Sequence, residues 1–441
     1  MSFKNAAEKV ADGHYRLEKG LPVAVDVFLD EDLYNRSEEE AWRQMATASR
    51  FPGVRRVAVT PDTHSGYGVP IGIVIETEGT LLPTAAGYDI SCGMVQLETT
   101  LNAEDVRDAN KRRKWIEAVT GGIGIGVGMG GSRKLSSQRF AEVLRHGALA
   151  LGVSRQNCER DFIPVDDGVD ALEVADAKWG QLGSLGGGNH FCELQVDDED
   201  RVWAMIHTGS RGFGYKTAET YFAKGVEAQG LRKGEKDLVW FDAGSRLGRA
   251  YWNHHNMAAN FAIANRLLIG EAVCRALEDV FGGTAKIFYE ISHNLIQEEG
   301  PRGSKRFVHR KGATRAFPAG HHALEGTKWE KTGHPILIPG SMQTGSAILY
   351  AEPGAEKSIY SINHGSGRLM SRSAAKRTLN QKEVNATMAA QDILLNTRDV
   401  PIDESGPCYK DLNQVLNVVE ISGLAKVVKR LRPVACIKGN D

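Results

Sequence analysis

Six short segments carry most of the chemistry in this chain, and they lie far apart. They are Gly87-Tyr-Asp89-Ile-Ser-Cys92-Gly, Gly186-Gly-Gly-Asn189-His190-Phe-Cys-Glu193, His207-Thr-Gly-Ser-Arg211, Ser292-His293-Asn294, His309-Arg-Lys-Gly-Ala-Thr-Arg315 and Asn363-His364-Gly365-Ser366-Gly367-Arg368. Each ends a β-type run or sits in a glycine turn, where sites are usually built. Related signals extend from Asp62 to Lys438. A site gathered over that span calls for one catalytic domain over residues 1–441, although length alone suggests two or three.

Short β-type runs fall at 23–29, 56–60, 72–76, 202–207, 286–290, 335–338 and 358–362. A long helix is expected over 253–281, where Met257, Phe261, Ala264 and Leu268 recur at three- and four-residue steps. Two more are expected over 103–119 and 371–395. The chain is therefore of mixed α and β type. Residues 213–285, mostly helical, are expected to form a subdomain packed on its edge.

Glycine fills 49 of 441 positions, above the roughly 7% that is usual, and much of the excess lies in the six segments. Glycine lets backbone N–H groups close on phosphate oxygens. The net charge of −1 argues against a uniformly basic nucleic-acid binder. Local basic clusters at 111–114, 302–315, 368–377 and 429–432 still suit a polyanion, although 111–114 reads better as a solvated helix face. The six cysteines form no CxxC pair. With no hydrophobic signal core and no apolar run near 18 residues, a cytoplasmic protein without a membrane segment is expected.

Asp89 and Cys92 are three apart, a spacing that in a tight turn aims both side chains at one ion. A thiolate can also bridge two ions. His190, His207 and His293 each adjoin a β-like run. Singly, such histidines are more often structural. As a set with Asp89 and Cys92 they make a donor group for a borderline metal, because unpaired burial of all five would be costly. One imidazole, His364, is left over, and a spare imidazole can serve as nucleophile. Cys158, Cys192, Cys274 and Cys436 read as small apolar core residues. Adjacent helical residues point about 100° apart, which argues against His254 and His255 as a ligand pair.

Asn189 can donate to a phosphate, and Glu193 can accept from the guanine N1–H and exocyclic amine. Pro339-Gly340-Ser341-Met342 and Gly345-Ser346 can form a backbone nest, though structural turns explain them equally well. Tyr409 can stack on a base. Arg211, Arg310, Lys311, Arg315, Arg368 and Arg372 offer phosphate contacts.

In pattern and order these segments resemble the RtcB-type RNA ligases, from Pro61-Asp62-Thr-His-Ser-Gly to Ile437-Lys438-Gly439. The resemblance implies the family's own α+β fold: a single catalytic domain of mixed sheets and helices with a helical subdomain. It implies joining of RNA 3′-phosphate or 2′,3′-cyclic phosphate ends to 5′-hydroxyl ends, in tRNA splicing or RNA repair, with GTP and two Mn²⁺ ions. His364 would carry GMP, with Asp62 close to the reacting phosphates. Asp89, Cys92, His190, His207 and His293 would hold the metals, with Cys92 bridging. Asn189, His190, Phe191, Cys192, Glu193, His293, Asn294, Pro339, Gly340, Ser341, Met342, Ser346, the His364-Gly365-Ser366-Gly367 turn, Tyr409 and Lys438 would surround the guanylate. RNA and GTP are the implied partners, an archease-type activator is a further one, and a monomer is expected. The chain departs from the family pattern at Tyr215-Lys216, at Gln343 and at Ser366, which bears on substrate preference. A dinuclear phosphoesterase and a non-catalytic RNA-binding paralogue are the rival readings.

Overall fold

Alternation along one strand governs the geometry of the site. The computed structural model describes residues 2–152, 163–171, 180–300 and 304–439. In strand Phe191–Asp197, Cys192, Leu194 and Val196 pack with Leu97, Ala204, Ile206 and Val273 on one face. Phe191, Glu193 and Gln195 therefore face the other side. That strand is central in an eight-stranded sheet, between Arg201–Thr208 and Ala425–Lys438. Arg201–Thr208 is followed outward by Gly93–Asn102 and then Ala285–Ser292.

The register explains how distant segments meet. Lys438 pairs with Phe191, Phe191 with His207, His207 with Met94 and Met94 with Ile291. One transverse row thus runs across the sheet at the end where Cys92, His190, His207 and His293 emerge. A seven-stranded sheet, which includes Val54–His64, Ile71–Glu78, Arg306–Lys311 and Asn294–Glu298, lies beside it. His293 is the single residue between Ala285–Ser292 of the first sheet and Asn294–Glu298 of the second. The fold is α+β, and the site sits where its two large sheets meet.

The long helix is Arg246–Phe281. It begins before the expected 253 because Ser245 caps it, accepting from the Gly248 N–H. By length and composition it could cross a membrane, but 83% of its most apolar window is buried inside the protein. The 213–285 stretch holds this helix and Arg211–Gln229. The long helix lies across one face of the large sheet, where Ile269, Val273 and Leu277 join the core.

Three other expectations change. The helix foreseen over 371–395 is split into Arg372–Thr378 and Gln381–Ala390, because Asn380 starts a new helix by accepting from the Lys382 N–H. Leu394–Leu395 then turns to strand. The run 358–362 is extended only at its end, in Ser361–Asn363, because Ile359 and Tyr360 are left-handed with φ of 56° and 47°. Residues 103–119 hold the helix Ala109–Gly122, which starts late at its Asp108 cap.

Candidate active site

The five expected metal ligands converge. Cys92 Sγ lies 3.1 Å from His207 Nε2 and 3.5 Å from His190 Nε2. His190 Nε2 lies 3.0 Å from Asp89 Oδ2, and His207 Nε2 lies 3.2 Å from His293 Nε2. The thiol thus stands between an Asp89–His190 side and a His207–His293 side. Nδ1 of His190 meets the Leu185 carbonyl at 2.9 Å, and Nδ1 of His207 meets that of Asn189 at 3.2 Å. A carbonyl can only accept, so at His207 Nδ1 carries the proton and the Nε2 lone pair is turned toward Cys92 and His293, whereas His190 Nε2 faces the Asp89 carboxylate. Burial raises the Asp89 carboxyl, but the hydrogen bond and charge of His190 outweigh it and hold it well below the usual range. Burial, then Asp89, pushes the Cys92 thiol well up. Burial, then neighbouring imidazoles, keeps His207 and His293 neutral. An ionised carboxylate beside neutral imidazoles and a thiol is a donor set that a dication can occupy.

Arg266, fully buried on the long helix, holds these turns together. Its guanidinium donates to Ser91 O, to Thr208 O at 3.2 Å and to Ser292 Oγ at 2.8 Å, each next to a ligand residue. Its Nε donates to Glu290 at 2.6 Å. Ser91 is left-handed, with φ 58°. At Gly209 a Cβ would come within 2.3 Å of Asp89 Oδ1, so the His-Thr-Gly-Ser turn needs glycine there. Nothing in the helical periodicity marked Arg266 as part of the site.

His364 stands apart from the ligands yet against them, its ring centroid 4.8 Å from that of His293. Its Nδ1 meets Asp62 Oδ2 at 2.7 Å, which leaves Nε2 as the free nitrogen. Asp62 is fully buried and also accepts from Thr60 Oγ1 at 2.6 Å. Burial raises its carboxyl, but His364 outweighs this and keeps it low. The Gly367 turn packs on the Asp62 backbone so closely that a Cβ would lie 2.1 Å from the Asp62 carbonyl oxygen.

A cavity of about 280 Å³ opens beside His364. Asn189, Phe191, Glu193, Asn294, Pro339, Gly340, Ser341, Met342, Ser346, Gly365, Ser366, Gly367, Tyr409 and Lys438 line it, as do Asp89, Cys92, His207 and His293. Cys192 does not. Strand alternation turns its side chain into the apolar core, so only its backbone is near. Glu193 accepts from Gln195 Nε2 at 2.9 Å, and Gln195 Nε2 also reaches Ser346 Oγ at 3.0 Å. Ser366 Oγ is buried without a partner among the described residues. Gln343 faces away from the cavity and accepts from the Gly406 N–H at 2.6 Å, tying down the loop that carries Glu404 and Tyr409.

With this geometry in view, comparison with known proteins is decisive. The sequence model of the family described as tRNA-splicing ligase RtcB matches residues 44–439. The chain belongs to the RtcB family. It is 32% identical to the tRNA-splicing ligase RtcB of Thermococcus kodakarensis over 96% of each chain. It is 34% identical to that of Aeropyrum pernix, over 95% of this chain and 94% of the relative. It is 33% identical to the RNA-splicing ligase RtcB of Mycobacterium tuberculosis, over 90% of this chain and all of the relative.

Within this RtcB family site some sequence assignments fail. Arg310 is buried against Glu299 at 2.6 Å, and Lys311 is buried on the carbonyls of Tyr67 and Val69. Burial drives Lys311 down to about 7. Arg315 is buried over the Phe317 ring at 4.7 Å. These three serve the packing of Arg306–Lys311 and its neighbours rather than an open phosphate surface. Arg302 and Cys158 lie outside the described residues. Arg211 is half-buried, 3.3 Å from His190 Nδ1, and supports Asp89 by its charge. Arg368 and Arg372 do line the cavity. His255 accepts from the Ile296 N–H and His254 meets Tyr221, so both are structural. Two polar residues of the cavity wall also went unforeseen. His64 lines the cavity with Nδ1 on the Asp62 carbonyl at 3.0 Å. Glu404, buried, gathers Arg368 at 3.2 Å, Arg372 at 3.1 Å and the Tyr409 hydroxyl. The first lay inside the quoted Pro61-Asp62-Thr-His-Ser-Gly motif without a role; the second had no motif at all.

Two predictions arise here. Cys92→Ser is expected to remove most bound metal, because one thiol touches both ligand groups, whereas Cys274→Ser on the long helix is expected to leave it; elemental analysis of the purified variants decides. Burial raises the Glu193 carboxyl to about 7, partly offset by Gln195 and Lys438. An ionised Glu193 would be able to accept both guanine N–H groups, and a protonated one would not. Guanine nucleotide binding is therefore expected to weaken as pH falls through about 7, and Glu193→Gln to flatten that profile and relax the preference for GTP over ATP. Calorimetric titration at several pH values checks both. In the nucleotide-free protein the sign reverses. A raised carboxyl stabilises the fold at low pH, and that contribution is lost as pH rises through its folded value.

Proposed function

We propose that this chain is an RNA ligase that joins 3′-phosphate or 2′,3′-cyclic phosphate ends to 5′-hydroxyl ends, using GTP. The observation that carries the reading is His364. It is an imidazole beyond the ligand set, held by buried Asp62 and turned toward a cavity lined by nucleotide-type contacts. A dinuclear phosphoesterase has no use for such a residue. A binding-only paralogue has no need to keep every ligand.

Asp89, Cys92, His190, His207 and His293 would hold two divalent ions, which we take to be Mn²⁺. Their donor set fits. Three ring nitrogens, a thiol sulfur and a carboxylate oxygen face one another within 3.5 Å in a chain of contacts, and imidazole, carboxylate and thiolate together suit such metals. Bound there, the ions would neutralise charge on phosphoryl oxygens.

The chain's own residues do the rest. Asp62 fixes the His364 ring so that Nε2 attacks the α-phosphate of GTP, forming a P–N bond as pyrophosphate leaves. Glu193 and Tyr409 hold the guanine, and the Pro339–Met342 turn and Lys438 hold the remainder of the nucleotide. The RNA 3′-phosphate then attacks, breaking the P–N bond and giving an RNA–(3′)pp(5′)–G end. Finally the 5′-hydroxyl attacks the RNA-side phosphorus and GMP leaves with its phosphate. A cyclic phosphate is opened to the 3′-phosphate first. Residues 1–441 act as one catalytic domain in this scheme. A role in tRNA splicing follows from the relatives' names. Incubation with GTP labelled at the α-phosphate, with Mn²⁺, should place acid-labile, base-stable label on the protein, and an unlabelled protein would contradict the reading.

A further inference from the structure

One of the departures from the family pattern, Tyr215, stands on the surface beside the metal ligands. Its ring stacks on Tyr88, with centroids 5.1 Å apart and planes 25° from parallel. Tyr88 packs in turn on Tyr67 at 5.6 Å, and both lie against Phe222. Phe222 is buried and anchors the group. Tyr215, by contrast, is 52% exposed and Tyr67 37% exposed. Lys236 completes the cluster. Its ammonium donates to the Tyr88 hydroxyl at 2.8 Å and lies 5.0 Å from the Tyr67 ring centroid.

This aromatic ladder is continuous with the site. Tyr88 immediately precedes Asp89, and the Tyr67 carbonyl accepts from Lys311, next to Gly312 of the cavity wall. A cluster that served packing alone would bury its outermost ring. Tyr215 instead adds an open aromatic face to the stack, with a cation at its side. Aromatic faces beside a cation are what unpaired nucleobases and their phosphates recognise, without regard to sequence.

We propose that the Tyr215–Tyr88–Tyr67 ladder with Lys236 is a base-stacking subsite for single-stranded RNA, seating a nucleotide close to the end that enters at the metal ligands. The proposal rests on the ligase reading and adds to it where the RNA lies. Tyr215 touches neither the nucleotide cavity nor the metal ligands, so its loss should leave guanylylation alone.

The test compares the wild type, Tyr215→Ala and Tyr215→Phe with a fluorescent oligoribonucleotide ending in a 3′-phosphate. Tyr215→Ala is expected to weaken binding by roughly tenfold, the scale of one lost base–aromatic stack, while Tyr215→Phe stays close to wild type. Self-labelling by GTP and the melting temperature should not change in either. An abasic spacer walked along the oligonucleotide should weaken wild-type binding at one or two positions and leave Tyr215→Ala unaffected there. Equal affinity of wild type and Tyr215→Ala, identical spacer profiles, or no binding of the oligonucleotide by the wild type would each overturn the subsite. Failure of the wild type to accept GMP would instead count against the ligase reading, and the binding comparison would still decide the subsite.

Discussion

His364→Ala is expected to lose all covalent GMP while keeping its metal and its fold. The side chain donates nothing to the convergent donor set; among the described residues its polar partner is Asp62. Truncation removes the nitrogen proposed to form the P–N bond. His64 lines the same cavity, but Asp62 aligns His364 and not His64 through its carboxylate. Loss should therefore exceed the few orders of magnitude typical of removing one acid–base group. Asp62→Asn is the milder companion, since an amide can still meet Nδ1 but cannot stabilise positive charge on the ring. Retained labelling in His364→Ala, with metal content unchanged, would mean another nucleophile.

Arg266→Met is expected to be the most damaging change outside the cavity. Arg266 and Glu290 are both buried, and removing one partner leaves a buried charge alone. Such losses cost about 3–5 kcal/mol. The consequence should reach metal binding, because the same guanidinium ties the turns bearing Cys92, His207 and His293. Arg266→Met with Glu290→Met separates the two effects. Without the orphaned carboxylate, most of the stability should return in a urea titration. The turns remain untied, so metal content should stay low. If the double variant recovers its metal as well as its stability, Arg266 does not organise the site.

The difference between Arg266 and His364 shows what the sequence could and could not reveal. His364, Cys92 and the other ligands sat in short glycine-rich turns, where residue type and spacing already restrict the chemistry. The sheet register then explained why they meet. Arg266 lay among Asn265, Leu267 and Leu268 in a helix whose visible signal was its apolar face. A buried cation there is defined by partners from three distant turns, and those appear only once the chain is folded. The same holds for Glu404, whose meaning comes from Arg368, Arg372 and Tyr409. The opposite error occurred at Arg310, Lys311 and Arg315. A basic run looked like a phosphate surface, but the strand Arg306–Lys311 lies inside a sheet, and Arg310 and Lys311 are spent on Glu299 and backbone carbonyls. The strand at 358–362 failed because two left-handed residues, one of them β-branched, follow no local rule.

The central claim is that the RNA's own 3′-phosphate is activated by guanylate from His364 and becomes the joining phosphate. The direct measurement uses RNA labelled with ³²P in its 3′-terminal phosphate, mixed with 5′-hydroxyl RNA, GTP and Mn²⁺. Label should move into the longer product, resist phosphatase and require GTP, and His364→Ala should give none. Release of the label as inorganic phosphate, with no GTP requirement and no joined RNA, would contradict the account and identify a phosphoesterase.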